Sequence, residues 1–420
     1  MVIWATIFLT VFQLYLAFLV GYLLLLVAAS WKAARSTVPL PGGACRRFLI
    51  LVPAHNEERL LPDLLASLAR LDYPAALFAV HVVADNCTDQ TVRVARRSSA
   101  QVHVRNDREH LGKGCALNWL LARLQQGGEP HDAVVFLDAD SVVSPNFLQV
   151  MAAHLERGER AIQAYYAVRD PGQSWAGSLR YAALAVLHFL RPQGRMALGT
   201  SAGLKGNGMA FAADLMKHYA WSSSLTEDIE LHMALLLNGE RVTFAPDAIV
   251  WGEMPNNLAS ATSQHMRWEQ GRKQMARSYV PRLLAAAWQE LRAGRPRHAF
   301  LLWDAVMEYI QPPFSILAGA NLLTLTASLA FFVSELDASP WNSFGSPGRL
   351  AALNVLLAVG LLLGQGVYLV AGLRSVSAPK QVYLNLLYAP GLVVWKTWQM
   401  FLVLLGRGQN SWIRTKRNRE

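Results

Sequence analysis

Residues 2–29 carry no charged side chain, and this run limits the fold of the chain more than any other feature of its sequence. About 20 apolar residues carry an α-helix through the hydrocarbon of a bilayer, so the run is long enough to span one. Lys32, Arg35, Arg46 and Arg47 follow it, while only the amino terminus precedes it. Positive charge collects on the cytoplasmic side of a membrane helix, which places the next segment in the cytoplasm. A cleaved signal peptide would show a basic leader and a shorter apolar core, so residues 1–31 read as a transmembrane anchor. Pro39, Pro41, Gly42 and Gly43 then mark a linker.

The anchor cannot be the whole lipid-facing part. With 53% hydrophobic residues, the 420-residue chain is too apolar for an ordinary soluble enzyme and too long for one domain. A formal net charge of +10 could serve nucleic acid, anionic lipid or an anionic substrate. Its cations gather at the edges of apolar segments with no nucleic-acid motif beside them, which sets nucleic acid aside. Cys45, Cys87 and Cys115 are odd in number and widely spaced, neither a disulfide framework nor a zinc pattern.

Between residues 46 and 280, short apolar runs alternate with amphipathic ones, the pattern of a soluble α/β domain. Residues 48–52 form an expected buried strand that ends in Pro53-Ala54-His55-Asn56-Glu57-Glu58. A second strand, 78–84, ends in Asp85-Asn86-Cys87-Thr88-Asp89. A third, 102–105, leads to Gly112-Lys113-Gly114, and a fourth delivers Asp138-Ala139-Asp140. Right-handed crossovers bring the carboxyl ends of parallel strands onto one rim, where ligands of α/β sheets sit. Two carboxylates one residue apart at such an exit can hold a divalent cation that carries a diphosphate. The same pair could instead open a turn ahead of a helix starting near Ser144 and Pro145.

Taken in order, Pro-Ala-His-Asn-Glu-Glu, Val-Ala-Asp-Asn-Cys-Thr-Asp, Gly-Lys-Gly and Asp-Ala-Asp resemble the family 2 glycosyltransferases over residues 46–279. The resemblance implies the A-type nucleotide-sugar transferase fold, an α/β domain on a mixed, mostly parallel sheet. It implies that Asp85 hydrogen-bonds a uracil ring and that the turn through Pro53, Asn56 and Glu57 touches uracil or ribose. Lys113 would neighbour the base or phosphate, Asp138 would face the ribose, and Asp140 would bind Mg²⁺ or Mn²⁺. Further on, Gly203, Gly206 and Gly208 allow close backbone approach, as beneath a donor sugar, although turn geometry alone would also explain them.

Thr226-Glu227-Asp228 resembles the family's Thr-Glu-Asp, whose Asp acts as the base. An inverting transfer needs one carboxylate to take the acceptor proton, so Asp228 is the candidate and Glu227 the second choice. As bare sequence, the same acids suit the first turn of any helix. Gln264, Arg267 and Trp268 stand at i, i+3 and i+4, share a helix face, and match the family's Gln-x-x-Arg-Trp signature. The Arg267 fork suits a diphosphate, and Trp268 offers a flat platform to a sugar or to the lipid boundary.

After Pro281 the chain returns to lipid. Residues 283–291, flanked by Arg282, Arg292, Arg295 and Arg297, read as an interfacial helix within a 281–308 region. Two spans follow in 309–374, at about 310–333 and 350–373, around a cation-poor loop. The stretch 382–405 is broken at Pro390-Gly391 and carries Lys396 in its middle, so 380–420 reads as a re-entrant or interfacial segment with a basic cytoplasmic tail. A fourth span is the alternative.

These readings imply a metal-dependent, inverting glycosyltransferase in a bacterial plasma membrane, facing the cytoplasm. It would move a sugar from a nucleotide-diphosphate donor, UDP-linked in particular, to a lipid or glycan hydroxyl, with membrane lipids around it. The resemblance is to the branch holding cellulose, hyaluronan and poly-N-acetylglucosamine synthases and ceramide glucosyltransferase, which mixes polymerases with single-transfer enzymes. Three spans leave little lining for an extrusion channel unless the chain oligomerises, so single transfer is expected ahead of a processive β-polysaccharide synthase. A catalytically inactive scaffold is a further alternative, against which the full set of acids speaks.

Overall fold

A computed structural model describes residues 2–33, 46–172, 174–224, 226–253, 258–338, 346–391, 393–395 and 398. The charge-free run forms α1 (Val2–Ala33). Strands β1 (Phe48–Ala54), β2 (Phe78–Asp85), β3 (Gln101–Arg105), β4 (Ala133–Phe136), β5 (Ser141–Val143), β6 (Ala161–Val168), β7 (Met209–Ala212) and β8 (Val242–Gly252) make one sheet. Their order across it is β3-β2-β1-β4-β7-β6-β8-β5. Helices α2 (Leu61–Leu68), α3 (Thr91–Ala95), α4 (Lys113–Gly127) and α5 (Phe147–Glu156) serve the first half. The second half uses α6 (Trp175–Ala185), α7 (Arg191–Ala197), α8 (Ala213–Met216) and α9 (Glu227–Leu237). Then come α10 (Leu258–Arg292), α11 (Pro296–Ile310), α12 (Phe314–Ala338), α13 (Ser346–Ser375) and α14 (Lys380–Asn385).

Strands β1 to β4 pair in parallel, as do β6 and β8. Only β7 and β5 run against their neighbours. The mixed, mostly parallel sheet is therefore present, with the carboxyl ends of β1, β2, β3 and β4 on one rim. Side-chain alternation explains its burial on both faces. Along β1, Phe48, Ile50, Val52 and Ala54 join the core that includes Leu61, Leu64, Leu65 and Leu68 of α2. Leu49 and Leu51 join the opposite core with Leu117 and Leu120 of α4 and Leu231 and Leu235 of α9.

The structure departs from the sequence reading in two places. Asp138-Ala139-Asp140 does not lead straight into a helix: Ser141 N donates to Asp138 O at 3.2 Å, and the chain enters the short strand β5 first. The Asp pair thus opens a turn, as the alternative had it, but β5 stands between that turn and α5, which begins at Phe147. Nor does a new helix begin near residue 281. Helix α10 continues through Pro281 to Arg292, so residues 283–291 are the last turns of the helix that holds Gln264.

Among the described residues, three helices are long and apolar enough to cross a membrane, over Trp4–Lys32, Phe314–Glu335 and Gly348–Ser375. Their outer faces expose Phe8, Leu14 and Phe18 of α1, Leu323 and Val333 of α12, and Leu356 and Leu363 of α13. Polar groups turn inward instead: Gln13 Nε2 donates to Ser328 Oγ at 3.1 Å, and Asn354 Nδ2 to Thr6 O at 3.3 Å. Small residues let these helices meet the α/β domain. A Cβ on Gly194 of α7 would stand 2.5 Å from Leu26 O, and one on Gly372 2.4 Å from Val186 Cγ1. Lys396, residues 399–405 and the basic tail lie outside the described residues.

Candidate active site

The site begins where β1 and β2 leave the sheet. Asn56 and Asn86 take left-handed φ angles of 56° and 51°, which their short amides tolerate through local hydrogen bonds. Asn56 Oδ1 accepts from Thr88 N at 2.8 Å, and Asn56 Nδ2 donates to Thr88 Oγ1 at 3.1 Å. Glu57 N donates to Thr91 Oγ1 at 2.8 Å, and Thr91 Oγ1 in turn donates to Asp89 Oδ1 at 2.6 Å. Pro53 lies one residue before the end of β1, in register with Val83 and just below this turn. Asp85, at the last position of β2, is buried and accepts from Arg105 Nη1 at 2.6 Å. Arg105 is held from behind by Asp107 Oδ2 and His110 O, both at 2.8 Å. Its signal in the sequence is faint, because a cation closing a strand reads as surface charge until sheet order sets β3 beside β2.

The exit of β4 meets the glycine-rich segment. Asp138 N donates to Asn207 Oδ1 at 3.1 Å, and the wholly buried Asn207 donates to Ser141 Oγ at 2.7 Å. Lys113 Nζ bridges Asp138 Oδ1 and Gly206 O, each at 2.5 Å. Gly206 has φ of +78°, and a Cβ there would stand 3.2 Å from Asp228 Oδ2. Asp138, Lys113, Gly206 and Asp228 are therefore one cluster, assembled from β4, α4, the glycine-rich loop and the first turn of α9. Glu227, next to Asp228, enters the same electrostatic environment.

Burial, the largest influence, lifts the carboxyls of both Glu227 and Asp228 above the usual carboxylate range. Lys113 opposes the rise in both, and Lys205 does so at Asp228. Burial would lower the Lys113 ammonium, but Asp138 and then Glu227 outweigh it, and Lys113 is raised. Acids held with an elevated proton affinity in a partly dry cleft suit proton transfer.

A second polar cluster, built from residues far apart in sequence, stands behind Asp228. Lys205 Nζ donates to Glu308 Oε1 at 3.2 Å, and Arg195 Nη1 lies 3.0 Å from Glu308 Oε2. Arg195 Nε also reaches Asp304 Oδ2 at 3.4 Å and Tyr22 Oη at 3.2 Å, while Tyr22 donates to Asp304 Oδ1 at 2.7 Å. His232, one turn beyond Asp228, has Nδ1 4.0 Å from Glu308 Oε2 and Nε2 2.9 Å from Ser201 Oγ. Burial would lift Glu308, yet Arg195 and then Lys205 hold it well below the usual range. Helix α1 is thereby tied to the site through α7 and α11.

Helix α10 approaches the same place. A Cβ on Gly271 would stand 2.4 Å from Thr226 Cγ2, so α10 packs directly on the residue before Glu227. Gln264, Arg267 and Trp268 fall in this helix as expected, but their side chains lie outside the described residues.

Among the described residues, no three His, Cys, Asp or Glu side chains converge on one point. Asp140, 7% exposed, and Asp138, held by Lys113, offer hard carboxylate oxygens at the rim. Mg²⁺ or Mn²⁺ is commonly bound through one or two carboxylates, with substrate phosphates and waters completing the shell. The donor set fits such an ion.

A family model described as "Glycosyltransferase like family 2" matches residues 46–271, more than half of the 420-residue chain. The chain belongs to the family 2 glycosyltransferases. Among its family 2 relatives, the β-monoglucosyldiacylglycerol synthase of Synechocystis is 28% identical over 244 residues, 56% of this chain and 49% of that protein. The same synthase from Nostoc is 26% identical over 275 residues, covering 64% and 56%. This chain thus spans about half the length of the curated relatives it matches. The poly(ribitol-phosphate) β-N-acetylglucosaminyltransferase TarS of Staphylococcus aureus is 31% identical over 113 residues, 26% of this chain and 19% of that one. Among solved structures, the mannosyltransferase PcManGT of Pyrobaculum calidifontis, in complex with GDP-Man and Mn²⁺, superposes with a TM-score of 0.54. It is 17% identical and covers 86% of this chain and 99% of its own, a likeness of fold. The A-type nucleotide-sugar transferase fold is the one found.

Proposed function

We propose that this family 2 member transfers a sugar, with inversion, from a UDP sugar to the hydroxyl of a lipid at the cytoplasmic face of a membrane. Asp228 takes the proton of the acceptor hydroxyl while that oxygen bonds to the anomeric carbon on the face opposite the diphosphate. The bond from that carbon to the phosphate oxygen breaks, and its electron pair leaves with the nucleoside diphosphate. The observation that carries this reading is the seating of Asp228 over Gly206, beside Lys113 and Asp138 at the exit of β4. Asp85, fixed by Arg105, presents a carboxylate to the imide N–H of uracil. Asp140, with Asp138, would hold Mg²⁺ or Mn²⁺, which offsets charge developing on the leaving diphosphate. Arg267 and Trp268 keep their roles toward diphosphate and sugar.

Relatives named as monoglucosyldiacylglycerol synthases support a lipid hydroxyl as acceptor. Their β products are what inversion of an α-linked donor sugar gives. The membrane reading rests on α1, α12 and α13 as spans, with residues 283–291 of α10 in the interfacial layer. The exposed apolar outer faces of those spans would be costly in water and are at home in lipid.

The test incubates membranes carrying the protein with labelled UDP-glucose, UDP-galactose, UDP-N-acetylglucosamine and GDP-mannose. Label from a UDP sugar should enter the lipid extract, stop with chelator, and return with Mg²⁺ or Mn²⁺. Full turnover in excess chelator would remove the metal role. Consumption of none of the donors by folded protein would contradict the reading.

A further inference from the structure

One carboxylate that the proposed transfer does not use is a meeting point for elements that carry it. Glu308, near the end of α11, accepts from Lys205 Nζ at 3.2 Å through Oε1 and lies 3.0 Å from Arg195 Nη1 through Oε2. His232 of α9 brings Nδ1 to 4.0 Å from the same Oε2. The main-chain oxygen of Glu308 accepts from Arg272 Nη1 of α10 at 3.4 Å. The glycine-rich loop, the helix that opens beside Asp228 and the helix that holds Gln264 thus converge on one residue.

The contact with Lys205 lies closest to the chemistry. Lys205 N donates to Gln163 Oε1 of β6 at 2.8 Å, which fixes the main chain and leaves the side chain to be aimed. A Cβ on Gly203 would stand 3.3 Å from Lys205 Nζ and 3.4 Å from Glu308 Oε1, so the loop closes over the pair. The residue after Lys205 is Gly206, where a Cβ would stand 3.2 Å from Asp228 Oδ2. Burial raises the Asp228 carboxyl, and the Lys205 charge is among those that oppose the rise.

Accessibility falls from the loop toward the anchor. Lys205 and Glu308 keep 15% and 27% of their side-chain surface, whereas Arg195 and Asp304 behind them keep 3% and 2%. Arg195 and Lys205 balance Asp304 and Glu308, but such buried charges are often no more stabilising than apolar side chains of the same volume. Stability alone is therefore a poor reason for them. What linked charges do supply is direction, since each side chain is held by the one behind it, back to Tyr22 of α1.

We propose that Glu308 is a positioning residue for the transfer: it holds Lys205 Nζ at the loop beside Asp228, and Arg195, Asp304 and Tyr22 in turn hold Glu308. Helix α1 then helps to set the geometry of the site as well as anchoring it. Attack by the acceptor oxygen tolerates little misplacement of the base and of the charges around it. The inference rests on the proposed role of Asp228 as base.

The test gives membranes carrying the full chain the four labelled donors named above, and measures turnover per folded molecule for Glu308→Gln, Lys205→Met and the double variant. Glu308→Gln keeps the size of the side chain and removes its charge. It should lower turnover about 10- to 100-fold with UDP affinity near wild type. Because Glu308 acts through Lys205, the two losses should not multiply, and the double variant should turn over as slowly as Lys205→Met alone. Glu308→Asp, which keeps the charge, should recover part of the loss. If Glu308→Gln does not fold, Tyr22→Phe at the far end of the cluster, alone and with Lys205→Met, decides by the same rule. A lower melting temperature with unchanged turnover of the folded protein would reduce Glu308 to a structural role and overturn the inference. So would losses that multiply in the double variant. Near-normal turnover of Asp228→Asn in the same assay would instead remove the base on which the inference rests.

Discussion

At the ends of β1 and β2, Asn56 is bonded to Thr88 and Asp89 to Thr91, whereas where α11 meets α12 the side-chain polar atoms of Tyr309, Gln311 and Ser315 have no hydrogen-bond partner among the described residues. The first region holds the residues proposed to meet the donor. The turn through Asn56 is held by these bonds without a ligand, a preorganisation that would suit a donor presenting the same nucleotide each time, while Arg105 Nε behind Asp85 is buried with no partner among the described residues.

Substitutions can break the comparison from either side. The largest effect is expected at Asp228, where Asn keeps the shape and removes the proton acceptor. Asp228→Asn should lower turnover by about 10²–10⁴ while UDP-sugar affinity stays near wild type. Near-normal turnover of folded Asp228→Asn protein would return Asp228 to a helix-terminus role and make Glu227 the next candidate. On the donor side, Asp85→Ala removes a charged hydrogen-bond partner worth on the order of 1.5–3 kcal/mol, so UDP affinity should fall about 10- to 100-fold. Acceptor KM should not move. An unchanged UDP affinity by calorimetry would make Asp85 only the partner of Arg105.

A smaller effect concerns pH. Burial lifts the Asp228 carboxyl, against the pull of Lys113 and Lys205. The base works only when deprotonated, so turnover falls as pH drops through that raised value. The acid limb should therefore lie above the ordinary carboxylate range near ~4. Lys205→Met removes a lowering influence and should move the limb higher still. A limb that stays in place would separate Lys205 from the base.

The donor side was the more legible in sequence, for a physical reason. Asp85, Asp138 and the Pro53 to Glu57 turn each follow an apolar run directly, so the end of a strand and the chemistry it carries are read together. Asp228 was marked by a motif three residues long. The sheet's mixed character was legible, but the insertion of antiparallel β7 between β4 and β6 was not, because register across a sheet leaves no local trace. Arg195, Asp304, Glu308 and Tyr22 were invisible as a group. Tyr22 lies in the charge-free run and bonds to a residue 282 positions away, a contact that only the packing of α1 on α7 and α11 creates. The break expected near residue 281 failed because Pro281 sits inside α10 without ending it.

The most direct test of the central claim is the anomeric configuration of the product made from an α-linked UDP sugar, read from the anomeric proton by NMR. One in-line displacement, with Asp228 as base, gives a β-linked sugar. An α-linked product would contradict the account, because retention requires a route that a single base at Asp228 does not provide.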